Sequence, residues 1–221
     1  MNLTDTLLGE AWYWVAWAVW VPLFAFCIFA APWGRLRDSE CLNVWLGMIV
    51  LLTLIWSLKA GVKPGLALHL LGATVFTLSF GPSLAFIGLS FVTLGVALND
   101  GTGAFAYAMN ALLLGGLGVF FSQGLHRVFS WIFPRHFFVY IFIHAFLGSA
   151  LTIVGVGFGI TALLAFAGAY SWDYLIEEYF LYFLLLGFSE AWLSGMVVTL
   201  FVVYRPNWVL TFDDNRYLAG K

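Results

Sequence analysis

Charged residues are scarce in this chain of 221 residues: they make up 9% of it, and the formal net charge is -2. So small a net charge argues against nucleic acid, or any other strongly charged macromolecule, as a partner. Hydrophobic residues make up 63% of the chain. A soluble domain of this size could not cover so much apolar surface with polar side chains. The composition therefore predicts an all-α polytopic membrane protein surrounded by the lipid bilayer.

Cysteine is also scarce, and the usual signatures of enzymes are missing. The two cysteines, Cys27 and Cys41, are placed in an apolar run and in the following cytoplasmic loop, so no disulfide is expected. There is no Cys-x-x-Cys or Cys/His metal spacing, and Cys27 has no histidine near it in the sequence to activate it. No Walker loop is present, so ATP hydrolysis would have to come from another protein. These absences predict that the chain is not an enzyme.

Long apolar runs predict about seven transmembrane helices in a single membrane domain, residues 1–221, with a short polar cytoplasmic tail from about residue 207. Only Gly81-Pro82, which predicts a tight turn at the inner surface, separates the third run from the fourth. The sixth run is long and rich in glycine, which leaves open whether it is one helix or broken. The seven runs are Ala11 to Ala31, Leu42 to Leu58, Gly65 to Phe80, Pro82 to Leu98, Ala104 to Ser122, Phe137 to Tyr170, and Phe180 to Tyr204.

The distribution of basic residues predicts the orientation of these helices. If the N-terminus is outside and the helices alternate, seven of the nine Lys and Arg residues fall on the cytoplasmic side. This matches the positive-inside tendency, so we expect an outside N-terminus and a cytoplasmic C-terminus in a bacterial inner membrane. The basic residues assigned to the inside are Arg35, Arg37, Arg127, Arg135, Arg205, Arg216 and Lys221, and those assigned to the outside are Lys59 and Lys63.

Four polar side chains fall inside the apolar runs: His69, Asn110, His144 and Glu190. Ionisable groups at bilayer depth need a partner or a water path and often mark functional sites. Counting ~1.5 Å per residue places His69, Asn110 and Glu190 in the outer half of the membrane and His144 deeper, too far from His69 to share one ion. We therefore interpret Asn110 and Glu190 as substrate-binding candidates, and His144 as packed against a hydroxyl or carbonyl of a neighbouring helix.

Three stretches, taken in order, carry motifs that point to one family. Residues 65–82 contain His69 and end in Phe-Gly-Pro, residues 101–115 join a glycine-rich loop to Asn110, and residues 190–206 run from Glu190 to an Arg-Pro ending. Together they resemble the substrate-capture subunits of cobalt/nickel energy-coupling-factor transporters. The sequence 211–214, Thr-Phe-Asp-Asp, is similar to the ending of a proteobacterial branch of that family.

The resemblance implies a metal site that includes the N-terminus. The family's metal-loading members begin Met-His, and their terminal amine, that histidine and its backbone nitrogen bind a square-planar metal that a later histidine completes. By this resemblance Met1, Asn2 and His69 are the metal-ligand candidates and nickel or cobalt is the ion. Asn2 stands in the place of the family's histidine. Because an amide is a poorer ligand than imidazole for Ni(II) or Co(II), another ion or a metal-bearing solute stays open.

Two functions are consistent with these residues. The first is a membrane substrate-capture subunit that works with a coupling membrane subunit and cytoplasmic ATPases. The second is a non-transporting assembly or scaffold subunit of a larger membrane metalloenzyme or respiratory complex, which kept the fold after losing the metal site. Asn2 favours the second function, whereas the presence of His69 and Glu190 favours the first.

Overall fold

The computed structural model describes residues 2–58, 60–61, 66–100, 103–213 and 217, and within them it is mainly helical. Six helices in this part of the chain are long and apolar enough to cross a membrane. This confirms the prediction of an all-α polytopic membrane protein. The six are α1 (Glu10–Ala30), α2 (Ser39–Ser57), α3 (Ala73–Asp100), α4 (Tyr107–Ile132), α5 (Phe137–Phe166) and α6 (Trp172–Tyr204).

Shorter elements lie between and within these helices. Short 3-10 helices occupy Trp33–Arg37 and Pro206–Trp208. A small antiparallel β pair is formed by two strands of two residues each, β1 (Ala60–Gly61) and β2 (Ala67–Leu68). Helices α4, α5 and α6 each contain a π-helical segment, a wider turn that is often found at functional sites. These segments are Ala111–Leu117, Tyr140–Leu147 and Ile176–Phe180.

The third and fourth predicted helices are joined within α3, and the chain reverses direction between them. Gly81 has φ 78° and ψ 168°, which is not helical. A Cβ on Gly88 would lie 2.5 Å from the ring of Phe76, although in a straight helix these residues would be about 18 Å apart. The tight turn predicted at Gly81-Pro82 is therefore present, because glycine adopts positive φ without strain and proline has no N–H to continue the first helix.

The predicted count of seven spanning helices is not confirmed, because the third run is helical only from Ala73 onward. Residues 66–72 contain β2 but no helix, and we call them the His69 loop. Residues 73–80 form a half-helix of about 12 Å, too short to cross a bilayer of ~30 Å by itself. A half-helix that begins inside the protein presents unpaired N–H groups at its N-terminus, which need acceptors from elsewhere.

The sixth predicted run is continuous over Phe137–Phe166 and ends near Gly168, whose φ is +70°. Its glycines do not break it, because they give room to neighbouring side chains. A Cβ on Gly155 would lie 2.8 Å from Phe121, and one on Gly157 would lie 2.3 Å from Phe183. These glycines let α4 and α6 approach α5 closely.

Helix α3 lies at the centre of the molecule and packs against all the other spanning helices. Most of its side chains are buried, whereas α1 and α2 leave most of theirs on the outer surface. The chain after α6 closes the far end of the half-helix: the N–H of Leu210 donates to Ser79 O, and the N–H of Thr211 donates to Leu78 O. The half-helix is therefore held at its C-terminal end by the chain after α6.

Candidate functional site

Glu190 holds the end of the His69 loop through its carboxylate. Oε2 accepts the N–H of Leu71 at 2.8 Å, and Oε1 accepts the N–H of Gly72 at 2.7 Å. Ser194, one turn further along α6, donates its hydroxyl to Oε1 at 3.1 Å. A carboxylate can only accept hydrogen bonds, and here three donors converge on it. We call this arrangement the Glu190 clamp.

The Glu190 clamp lies where the half-helix begins. The N-terminus of a helix attracts negative charge through its unpaired N–H groups and its dipole, so a carboxylate is stabilised at this position. Gly72 adopts φ +69°, and a Cβ there would lie 2.5 Å from the Leu52 side chain. Only glycine fits this position without displacing Leu52, which fixes the point at which loop becomes helix.

His69 lies in the clamped loop, and only 4% of its surface is exposed. Its Nδ1 lies 3.0 Å from the carbonyl oxygen of Leu70. Because a carbonyl can only accept, this contact requires the proton on Nδ1, which leaves the lone pair of a neutral ring on Nε2, the form in which imidazole ligates a metal. The ring of Trp56 lies 4.8 Å from that of His69, and its Nε1 donates to Leu71 O at 3.2 Å. Trp56 therefore forms one wall of the loop.

A second clamp holds the N-terminal segment, residues 2–8. Asn110 pairs with the backbone of Leu3 in both directions: Oδ1 accepts its N–H at 2.8 Å, and Nδ2 donates to its carbonyl at 2.9 Å. Leu3 is fully buried. Asp5 accepts the N–H of Ala106, and Tyr13 donates its hydroxyl to Thr4 O. We call the pairing of Asn110 with Leu3 the Asn110 clamp, and it inserts the start of the chain into the protein.

The side chain of Asn2 is buried next to this clamp, with 7% of its surface exposed. Its Oδ1 has no hydrogen-bond partner among the described residues. A buried amide oxygen without a partner costs free energy and is available to a ligand. Met1, the other ligand candidate at the N-terminus, lies outside the described residues.

The four described candidates, Asn2, His69, Asn110 and Glu190, are all buried. The structure joins them in two pairs: Asn110 binds the backbone of the segment that carries Asn2, and Glu190 binds the backbone of the loop that carries His69. Within the described residues there is no group of three or more His, Cys, Asp or Glu that could hold a metal. A metal here would therefore be bound by one imidazole with amide, main-chain or amine donors.

Sequence reasoning missed several residues of the site. It did not identify Ser194, whose spacing of four residues from Glu190 on one helix was the available signal. It did not identify Trp56, which is one of 11 tryptophans and is not marked by any pattern. The interpretation of His144 was wrong about its partner: its Nδ1 lies 2.9 Å from Nδ1 of His126 and not against a hydroxyl or carbonyl.

Two solved structures of known proteins share the fold of this chain. A crystal structure of a truncated transition metal transporter has a TM-score of 0.79 at 19% identity, covering 92% of this chain and 99% of that one. A second transition metal transporter structure has a TM-score of 0.75 at 19% identity, covering 90% of this chain and 91% of that one. At this identity the likeness establishes the fold alone.

No curated protein matches the chain. The model of one family, described as the cobalt uptake substrate-specific transmembrane region, matches residues 2–208, which is nearly the whole length. This match agrees with the membrane architecture and with the absence of enzyme signatures in the sequence. The chain belongs to the family of cobalt uptake substrate-specific transmembrane regions, and it is a membrane subunit that captures substrate for metal uptake and not an enzyme.

Proposed function

We propose that this subunit captures a divalent transition-metal ion at a site formed by the N-terminal segment and the His69 loop. His69 supplies the imidazole ligand, and Asn2 and the amine of Met1 complete the site. Asn110 and Glu190 act by positioning the two segments that carry these ligands. The metal is the substrate, and it leaves the site when it is delivered across the membrane.

The two clamps are the observation that carries this proposal. Each uses a buried polar side chain to bind backbone, at Leu3 in one case and at Leu71 and Gly72 in the other. Backbone anchoring uses no atom of the neighbouring side chains of Asn2 and His69, which we assign to the metal. Metal affinity depends on ligands that are already held in place, since the cost of ordering them is then paid by folding.

The identity of the metal follows from its ligands. One imidazole with amine and amide donors suits borderline ions such as Ni²⁺ and Co²⁺ better than Mg²⁺ or Ca²⁺, which prefer several oxygens. With Asn2 in place of a second imidazole, we expect the site to bind these ions more weakly than a two-histidine site would.

Energy for uptake has to come from other subunits. The chain contains no Walker loop for a nucleotide. We propose that it works in a bacterial inner membrane with a coupling membrane subunit and a pair of cytoplasmic ATPases, as in energy-coupling-factor transporters. Co-purification of the chain with such subunits from its native membrane would test this part of the proposal.

The metal site is tested by element analysis of detergent-purified protein with its native N-terminus and without a histidine tag. After incubation with Ni²⁺ or Co²⁺, we expect tightly held metal in the wild type and a loss of that metal in His69→Ala. His136→Ala is the matched control, because His136 is exposed. Equal metal content in His69→Ala and the wild type would refute the role of His69.

A second function, an assembly or scaffold subunit that has lost its metal site, is favoured by Asn2 alone. It predicts that neither the wild type nor Asn2→His holds metal at the His69 site, and that the chain co-purifies with a larger membrane complex. Metal bound in the wild type and lost in His69→Ala would reject this alternative.

A further inference from the structure

A pair of histidines away from the His69 loop has no role in the capture site. His126 of α4 and His144 of α5 place their Nδ1 atoms 2.9 Å apart. Their ring centroids are 4.8 Å apart, and the rings are tilted by 59°. His144 is buried and His126 is half-buried. Two imidazoles on different membrane helices are therefore brought together in apolar surroundings, where polar side chains usually have a function.

The separation of the two nitrogens fits two arrangements. It is a normal hydrogen-bond length, with one ring donating and the other accepting. It is also the spacing of neighbouring ligands on one metal, since two nitrogens at ~2.05 Å from an ion and 90° apart lie about 2.9 Å from each other. To bind a metal, both rings would carry their single proton on Nε2 and turn their Nδ1 lone pairs toward one point between them.

The surroundings of the pair support a ligand site. His144 lies in the π-helical segment Tyr140–Leu147, a widened turn of a kind often found at functional sites. The ring of Tyr140 stacks on His144 at 5.4 Å, and Phe129 meets it edge-on at 5.8 Å. These rings cover the imidazole and fix its orientation, so the ligand nitrogen is held in place before any ion binds.

A third donor lies one turn away on α4. Gln123 precedes His126 by three residues, so the two share one face of the helix. The Oε1 atom of Gln123 is buried and has no hydrogen-bond partner among the described residues. An amide oxygen on the same helix face as one of the two imidazoles is a third donor of a kind that borderline divalent ions accept.

The pair is separate from the proposed capture site. Gly118 of α4 packs against the start of the half-helix, with its ideal Cβ 3.0 Å from Ala73 and 3.2 Å from the Leu71 side chain. His126 lies eight residues further along α4, which is about 12 Å at 1.5 Å per residue. Asn110 lies 16 residues before His126, or about 24 Å by the same measure. No single ion could contact both sites.

We propose that His126 and His144 form a second binding site for a divalent transition-metal ion, with Gln123 as a third ligand, at the end of the molecule opposite the Asn110 clamp. In a metal-uptake subunit, such a site can receive the ion after it leaves the capture site. The proposal does not depend on the role of His69, because the ligands are different residues.

The proposal is tested in His69→Ala protein, which removes the capture site. We expect isothermal titration calorimetry to show that this variant still binds one equivalent of Co²⁺ or Ni²⁺. Adding His126→Gln or His144→Gln should weaken this binding by more than about 10-fold. Loss of a residue that only hydrogen-bonds to a metal ligand already lowers metal affinity by at least about that factor. His136→Gln is the control and should leave it unchanged. Equal affinity in His69→Ala and its double variants would overturn the proposal.

A spectroscopic measurement on His69→Ala avoids relying on variants of buried histidines. Cu²⁺ bound to this protein should show an electron paramagnetic resonance spectrum with hyperfine splitting from two equivalent imidazole nitrogens. Splitting from one nitrogen or none would overturn the proposal. The two sites can fail independently: loss of all metal in His69→Ala supports the capture site and rejects the second site. If metal content is unchanged in His69→Ala but lost in His126→Gln, the second site is supported and the capture site is rejected.

Discussion

The substitution Glu190→Gln tests whether a backbone clamp positions the metal ligand. Gln keeps the size of the side chain but has one acceptor oxygen and one donor amide group. The carboxylate of Glu190 accepts N–H groups from Leu71 and Gly72 on separate oxygens. Whichever way the amide is turned, its NH₂ group faces one of these donors. One backbone N–H therefore loses its acceptor. The other N–H keeps an acceptor, but this is now a neutral amide oxygen and not a carboxylate oxygen.

The cost can be estimated from these bonds. A hydrogen bond to a charged group contributes about 1.5–3 kcal/mol and a neutral one about 0.5–1.5 kcal/mol. Losing one hydrogen bond to the carboxylate, and replacing the other by a bond to a neutral amide oxygen, costs about 2–4 kcal/mol. This corresponds to a change of roughly 30- to 1,000-fold in an equilibrium constant. We expect this cost to fall on the ordered state of the His69 loop, because the other helix contacts of α6 do not involve the carboxylate.

Two assays report the effect. Hydrogen exchange of a peptide covering residues 66–76 should accelerate in Glu190→Gln, and the dissociation constant for Ni²⁺ should rise within the range above. The folded yield should stay close to that of the wild type. Glu178→Gln changes an exposed carboxylate of the same helix and is the matched control. Unchanged exchange and unchanged affinity would refute the clamp, and a collapse of the folded yield would mark Glu190 as a residue of global stability.

Three further substitutions test other parts of the molecule. Asn110→Ala removes two buried hydrogen bonds that together contribute about 1–3 kcal/mol. Hydrogen exchange of the N-terminal segment should therefore accelerate roughly 5- to 150-fold. The control Asn43→Ala, at an exposed position, should have no effect. Asn2→His should strengthen Ni²⁺ or Co²⁺ binding in calorimetry, because imidazole is the better ligand, and no gain would mean that residue 2 does not reach the metal. Gly195→Val should lower the melting temperature, because a Cβ at this position would lie 2.1 Å from the Phe146 ring. The expected loss of stability is about 1–3 kcal/mol. An unchanged melting temperature would show that this close packing is not needed.

The sequence was sufficient to predict the helical membrane fold, because spanning helices are recognised by length and hydropathy alone. It also predicted the reversal at Gly81, where glycine and proline act through backbone geometry. It did not predict that residues 66–72 leave the helix. Their composition is apolar, and hydropathy cannot distinguish an apolar loop that is buried in protein from a helix that faces lipid.

The candidate site was predicted as a set of residues but not as an arrangement. Glu190 and Asn110 stand out because polar side chains are rare in apolar runs. Their partners are backbone groups of Leu3, Leu71 and Gly72, and any residue type supplies such groups, so the sequence carries no signal for them. For the same reason, Glu190 was interpreted as a substrate-binding candidate and not as the residue that holds the start of a half-helix.

Because both clamps bind backbone, the proposed site separates the residues that set its geometry from those that we propose select its ion. Replacing the side chain of residue 2 or residue 69 leaves the hydrogen bonds of Asn110 and Glu190 in place. A change of side chain at either position therefore carries no penalty of an unsatisfied buried carboxylate or amide at the clamps. We expect replacement of Asn110 or Glu190 to loosen the segment that each holds, whatever ligand that segment carries. Changes of ion preference are thus expected at Asn2 and His69, whereas changes at the two clamps should weaken binding of every ion alike.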